Sequence, residues 1–177
     1  VFIDHDDLVT EDCFAELALY YADHADADIV YSDDDKVDMA GARSAPQFKP
    51  DYAPTLLLSF MYMGHVFSVR RSLFLELGGF RKAFDGSQDY DFALRACERA
   101  RHVGHIPKIL YSWRIAPGST AASADAKPAS FEAGCRAVEE ALARRNMSGK
   151  AHHPDWARAA KCGIFSIEFP DTGPSVT

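Results

Sequence analysis

The sequence predicts an α/β fold, with strands and helices alternating around an open sheet. Apolar runs of β type stop abruptly at acidic clusters: Val1-Phe2-Ile3 at Asp4-His5-Asp6-Asp7, and Asp28–Ser32 at Asp33-Asp34-Asp35. Stripes of helical period lie between these runs. The 177 residues suffice for one domain with a sizeable core. The chain opens on Val1 rather than Met, in what reads as the middle of a strand. It is therefore expected to be a piece of a larger fold.

The first stretch organises the rest. A buried strand that ends in carboxylates delivers them to the sheet edge, where ligands of open α/β sheets sit. Asp4 and Asp6 are two apart, so extended backbone puts both on one face. Like charges on one face repel unless a cation lies between them. Hard divalent cations take one or two carboxylates plus phosphate oxygens of a substrate. The same residues also fit a solvated acidic turn before a helix, with Asp7 or Thr10 as a cap.

Thr10 is expected to cap a helix over 11–23, with Phe14, Leu17, Ala18 and Tyr21 as its apolar stripe. Asp28–Ser32 reads as a strand and Asp33-Asp34-Asp35 as a solvated turn or a second set of cleft carboxylates. Residues 39–52, with Gly41, Pro46 and Pro50, read as a loop. Pro54 starts a short helix over 55–59, since proline is tolerated in the first turn. Residues 65–69 form a strand, in which a lone His65 reads as structural more readily than as a ligand. A short helix over 72–77 ends at Gly78-Gly79, glycine being suited to a left-handed cap. Ser87 is placed to cap a helix over 88–99, whose start Asp85, Asp89 and Asp91 crowd. The helix dipole accounts for one such acid, at about 0.3–1 kcal/mol, better than for three. It favours the charged form, which can act as a base toward a substrate hydroxyl. Residues 105–113 form a strand with Pro107 near its start. Residues 116–128 read as a small-residue loop, a candidate lid. A helix over 131–145 turns Ala133, Val138, Ala141 and Leu142 inward. A last strand is expected over 162–169.

Composition excludes several classes. A net charge of -7 argues against a nucleic-acid binder. Cys13, Cys97, Cys135 and Cys162 form no Cys-x-x-Cys pair. That removes the usual zinc spacing and suggests reduced thiols in a cytoplasmic setting. No apolar run reaches the roughly 18 residues that span a bilayer, and no signal peptide is apparent.

Phe2-Ile3-Asp4-His5-Asp6-Asp7 resembles the Asp-x-Asp motif of GT-A-fold glycosyltransferases, in particular the large inverting family 2. Tyr31-Ser32-Asp33-Asp34-Asp35-Lys36, with Gly41, Arg43, Pro46 and Phe48-Lys49-Pro50, looks like the bacterial polysaccharide and O-antigen members. So do Arg70-Arg71-Ser72-Leu73, Gly78-Gly79-Phe80-Arg81, residues 84–91, His105-Ile106-Pro107, and Leu110-Tyr111 with Trp113-Arg114. The resemblance covers residues 1–145, leaving 146–177 as a C-terminal extension. It implies the metal and acceptor side of a Rossmann-type α/β/α sandwich, without the preceding strands that grip the nucleotide base.

The resemblance implies that Asp6 binds a divalent cation, Mg²⁺ or Mn²⁺, directly, with Asp4 beside the metal or the ribose. Asp7 and Asp33 would belong to the donor cleft. Asp89 would be the general base, in Gln88-Asp89 where many relatives have Glu-Asp. Gly79, Asp85, Gln88, Trp113 and Arg114 would meet the acceptor. The implied substrates are a nucleotide-diphosphate sugar and a saccharide or lipid-linked acceptor, handled in the cytoplasm or at the inner face of the membrane. Relatives often carry a histidine after the Tyr-x-Arg strand as a further metal ligand. Ser112 and Ala116 stand in those places here. Two rival readings are a non-catalytic sugar-binding or interaction fragment, and a haloacid-dehalogenase-type phosphatase with Asp4 as nucleophile.

Overall fold

The computed structural model describes residues 1–115 and 128–171. Strands β1 (Leu8–Val9), β2 (Ala27–Val37), β3 (Arg43–Gln47), β4 (Phe67–Val69) and β5 (His102–Arg114) form one sheet. The helices are α1 (Cys13–Asp23), α2 (Pro54–Leu57), α3 (Arg71–Glu76), α4 (Gln88–Cys97), α5 (Pro128–Arg144) and α6 (Asp155–Ala159). An antiparallel pair of β6 (Lys150–His152) and β7 (Ser166–Glu168), joined through α6, lies beside α5.

β2 is the spine. On one side it runs parallel to β5, from Ala27↔His102 to Val37↔Arg114. On the other side its first half pairs antiparallel with β4 and its second half with β3. Neighbours on both edges exclude water, and every residue of β2 except Lys36 is buried. Alternation sends Ile29 and Tyr31 into the larger core, with Phe92 and Leu94 of α4 and Val138 and Leu142 of α5. Val30 goes to the smaller core, with Cys13 and Leu17 of α1. The outcome is the expected α/β/α layering.

Several local expectations are corrected. Val1–Ile3 is not a strand: a single bridge joins Phe2 to Phe67, and Asp4–Asp7 is a turn in which the Asp7 N–H donates to the Asp4 carbonyl at 3.3 Å. A turn breaks the alternation that would align Asp4 with Asp6. The triplet Asp33-Asp34-Asp35 is strand interior, not a solvated turn: Lys49 and His105 meet Asp33, Lys49 meets Asp34 Oδ2, and Arg43 and Ser112 meet Asp35, while among the described residues the buried Asp34 Oδ1 has no partner. Residues 43–47 of the expected loop pair with β2 as β3. α1 starts at Cys13 with no side-chain cap, and Phe14 is exposed, so the buried stripe is Cys13 and Leu17. Ser87 does not cap α4; its hydroxyl donates to the Ser130 carbonyl at 2.7 Å. The last strand is confined to Ser166–Glu168. The lid expected over 116–128 falls outside the described residues except for Pro128, which opens α5.

The Gly-Gly end of α3 follows the expectation. Gly78 and Gly79 have φ of +73° and +68°, and a Cβ on Gly79 would stand 2.9 Å from the Phe74 ring. Arg95 of α4 donates to the carbonyls of Leu77 and Gly79 at 2.9 and 2.8 Å. Arg95 and Arg81 both pair with Asp91, which is 1% exposed. Burial alone would raise the Asp91 carboxyl, but the two guanidiniums more than offset it and hold the group below its ordinary value. The linkage has one sign. Its stabilisation is fully present above the unfolded value, about 3.9, and is lost as pH falls through the lower folded value. Urea midpoints measured from neutral pH into this acid range are expected to fall less steeply in Asp91→Asn than in the wild type.

Candidate functional site

The turn Asp4–Asp7 is fastened to β5. The Tyr111 hydroxyl accepts from the Asp4 N–H at 3.2 Å and donates to Asp7 Oδ2 at 2.5 Å. The Arg114 N–H donates to Asp7 Oδ1 at 2.7 Å, and the Arg114 side chain donates to the Asp6 carbonyl. Burial, with Asp7 and Asp4 adding to it, pushes the Tyr111 hydroxyl up, so it stays a proton donor. Asp7 and Arg114 therefore act as tethers, while Asp4 and Asp6 remain exposed. Among the described residues, the ion-pair partners of these two carboxylates are imidazoles: His65 lies 3.6 Å from Asp4 and His5 3.9 Å from Asp6.

A cavity of about 840 Å³ opens beside the turn. Its lining includes Asp4, His65, Ser87, Gln88, Asp89 and Trp113 together with aromatic side chains such as Phe2, Phe80, Phe92 and Phe165. α4 delivers Asp89 in its first turn. Asp89 lines the cavity and is exposed to it. The protein packed around it still strips water from the carboxyl and pushes it above the ordinary value. The charge on Asp4 adds to the rise; the Tyr90 N–H, bonded at 2.8 Å, and His65 oppose it. The helix start was expected to favour the charged form, and burial reverses that preference.

Gln88 Oε1 accepts from the Gly86 N–H at 2.7 Å, which fixes the loop before α4. Gly86 has φ of +89°. Behind the cavity stands a charged hub that the sequence did not signal. The Lys49 ammonium is buried and donates to the carbonyls of Ser32, Met63 and His65 at 2.6, 2.6 and 2.7 Å. It also pairs with Asp34 Oδ2 at 2.7 Å. Burial works against the Lys49 charge, and Asp34 opposes that effect. The hub ties the 63–65 loop, and with it His65, to β2.

The sequence matches the family model described as Glycosyl transferase family group 2 over residues 1–146.

The chain belongs to that family.

It is 46% identical over 144 residues to the uncharacterized protein y4gI of Sinorhizobium fredii, covering 80% of this chain and 16% of that one. It is 37% identical over 153 residues to the O-antigen biosynthesis protein RfbC of Myxococcus xanthus, covering 86% of this chain and 12% of that one. The chain thus spans less than a fifth of the length of these curated relatives. Its fold matches S. aureus TarS 1–349, solved with UDP-GlcNAc, at a TM-score of 0.59 and 18% identity. That likeness covers 80% of this chain and 42% of the TarS chain. The GT-A-type α/β fold of the resemblance is therefore present, and the phosphatase reading falls away.

In this member of glycosyl transferase family group 2, some of the residues named from sequence meet at the cavity: Asp4, Gln88, Asp89 and Trp113. Asp6 stands on the same turn as Asp4. Others lie elsewhere. Asp33 is buried in β2, where its carboxylate accepts from the Lys49 N–H at 2.9 Å and meets His105 Nε2 at 2.8 Å. Asp85 is exposed outside the cavity lining. Gly79 serves the α3 terminus. Tyr111 and Lys49 went unread as site supports, although both sit inside motifs that carry the resemblance.

Among the described residues, no three His, Cys, Asp or Glu side chains converge as a ready metal cage. A hard cation bridged to a diphosphate needs only one or two carboxylates from the protein. Asp4 and Asp6, on one exposed turn and paired with no lysine or arginine among the described residues, fit that demand. Among the described residues no helix is long and apolar enough to cross a membrane.

Proposed function

We propose that this chain carries the metal and acceptor side of a nucleotide-sugar-dependent, inverting glycosyltransferase. The observation that carries the reading is the meeting of Asp4 and Asp89 in one cavity from segments 85 positions apart, close enough for their charges to interact. Asp89 takes the proton from the acceptor hydroxyl as that oxygen attacks the anomeric carbon and the diphosphate leaves from the opposite side. Its raised carboxyl makes it a stronger base than a free aspartate. Asp4 and Asp6 hold the divalent cation, which when bound offsets charge developing on the departing diphosphate. Gln88 and Trp113 line the acceptor side, where the indole offers an apolar face to a sugar. UDP-GlcNAc in TarS and the O-antigen role in RfbC's name support a nucleotide-diphosphate donor and a saccharide or lipid-linked acceptor. The reading includes a cytoplasmic setting at the inner face of the membrane.

The test is calorimetric titration with UDP, dTDP and GDP, with and without Mn²⁺, beside Asp6→Ala. One nucleotide is expected to bind in a metal-dependent way and to lose that binding in the variant. Absence of binding to all of them at millimolar nucleotide would sink the claim that this chain binds the donor.

A further inference from the structure

The family match ends at residue 146, but the cavity draws on residues beyond it. Gly163 and Phe165, from the segment between α6 and β7, line it together with Phe131 of α5. Phe165 is built into the family domain. Its N–H donates to the Ser59 carbonyl at 2.7 Å. Its ring stacks on Tyr90, the chain neighbour of Asp89, at 5.7 Å between centroids. Gly134 of α5 leaves room for that ring, since a Cβ there would stand 2.3 Å from Phe165 Cζ. The buried His153 backs the same wall. Its ring lies 4.2 Å from Phe131 and 5.7 Å from Phe165, and its Nε2 donates to the Cys162 carbonyl at 2.7 Å. Phe131 is half-buried and Gly163 exposed. Gly163 is not among the glycines with positive φ. A Cβ on it would meet Phe131 Cε1 at 3.9 Å and, its chain neighbours aside, nothing else within 4 Å. Neither backbone conformation nor close packing demands a glycine here, so what the missing side chain provides is room beside the Phe131 ring.

We propose that Phe131, Gly163 and Phe165 form the wall on which a neutral sugar ring of the acceptor packs, so that the segment after residue 146 takes part in choosing the acceptor; the proposal rests on the transferase reading above. Phe131 offers a flat apolar surface to the C–H face of a pyranose, and the gap at Gly163 gives the sugar access to it. Through Tyr90 the wall adjoins the start of α4, which carries Asp89. Charge separates a sugar ring from the other part of a lipid-linked acceptor. Among the described residues no lysine or arginine side chain lines the cavity, whereas the carboxylates Asp4 and Asp89 do. An uncharged ring is accepted there, and a lipid diphosphate meets like charge.

The experiment is saturation-transfer nuclear magnetic resonance on this chain with the methyl pyranosides of glucose, galactose, mannose, rhamnose and N-acetylglucosamine, and with citronellyl diphosphate as the lipid-diphosphate probe. At least one pyranoside is expected to receive saturation, strongest on one ring face, and citronellyl diphosphate should not displace it. Phe131→Leu keeps apolar bulk but removes the flat ring, and should weaken that binding about 2- to 10-fold. Gly163→Leu fills the gap and should abolish it. Both variants should keep the wild-type thermal midpoint and bind nucleotide with Mn²⁺ as the wild type does. Should one fail to fold, the other decides. Absence of pyranoside binding, displacement by citronellyl diphosphate, or unchanged binding in either folded variant overturns the wall and, where a nucleotide still binds, leaves the transferase reading standing. Pyranoside binding by a chain that takes up none of UDP, dTDP or GDP with Mn²⁺ overturns the acceptor assignment together with that reading.

Discussion

Asp89→Asn is expected to lower the turnover of sugar transfer by about 100- to 10,000-fold, the range that general-base catalysis supplies. Folding stability at neutral pH should stay level or rise. The sign follows from the raised carboxyl. A group harder to ionise in the folded than in the unfolded chain costs stability once pH passes its unfolded value, and the cost is complete above its folded value. Asparagine keeps the shape and removes that cost. Turnover and thermal midpoint, measured on the same preparation, check both halves. A variant that lost activity and stability together would mark Asp89 as a structural acid. The wild-type rate should also fall on the acid side at a pH above that of an ordinary aspartate.

Lys49→Met is expected to destabilise the fold by about 3–5 kcal/mol, because it strands the buried Asp34 carboxylate without its cation. Three backbone carbonyls lose the same donor. Urea unfolding reads the loss directly. The double variant Lys49→Met, Asp34→Asn should recover part of it, since the stranded charge is gone while the carbonyls stay unpaired. Additive effects of the two substitutions would show that the pair is not coupled. His65 shares this hub, so nucleotide binding by Lys49→Met is expected to weaken even where the chain remains folded.

The α/β class was legible because the first half of β2 and residues 65–69 and 105–113 read as short strands, and helical segments lie between and after them. The role of Asp33-Asp34-Asp35 was not. Three consecutive aspartates signal a turn locally, and nothing nearby contradicts it. The groups that hold them inside a strand, Arg43, Lys49, His105 and Ser112, lie 8 to 77 positions away. Asp4 was named from its position after an apolar run, whereas Asp89 was singled out from Asp85 and Asp91 at the helix start only by the family resemblance. The raised carboxyl of Asp89 was not legible, because burial depends on which segments enclose it. Asp85 and Asp89 look alike in sequence and are both exposed, but of the two it is Asp89 that lines the cavity. Gly79 was read as lining an acceptor pocket, yet its positive φ and the Phe74 ring against it account for the glycine in backbone terms.

The parallel pairing of β2 with β5 has a consequence for the order in which the molecule assembles. Ala27 meets His102 only after everything between them has been looped out, and loop closure of that length is slow compared with a hairpin. Tyr111, the fastener of the acidic turn, lies on the late-arriving strand. α4, which carries Asp89, is contained within the loop itself. A refolding chain therefore gains helices and the β2–β4 contact before it gains a place for a nucleotide. Nucleotide affinity should be the last property to return after dilution from denaturant, later than the helical signal.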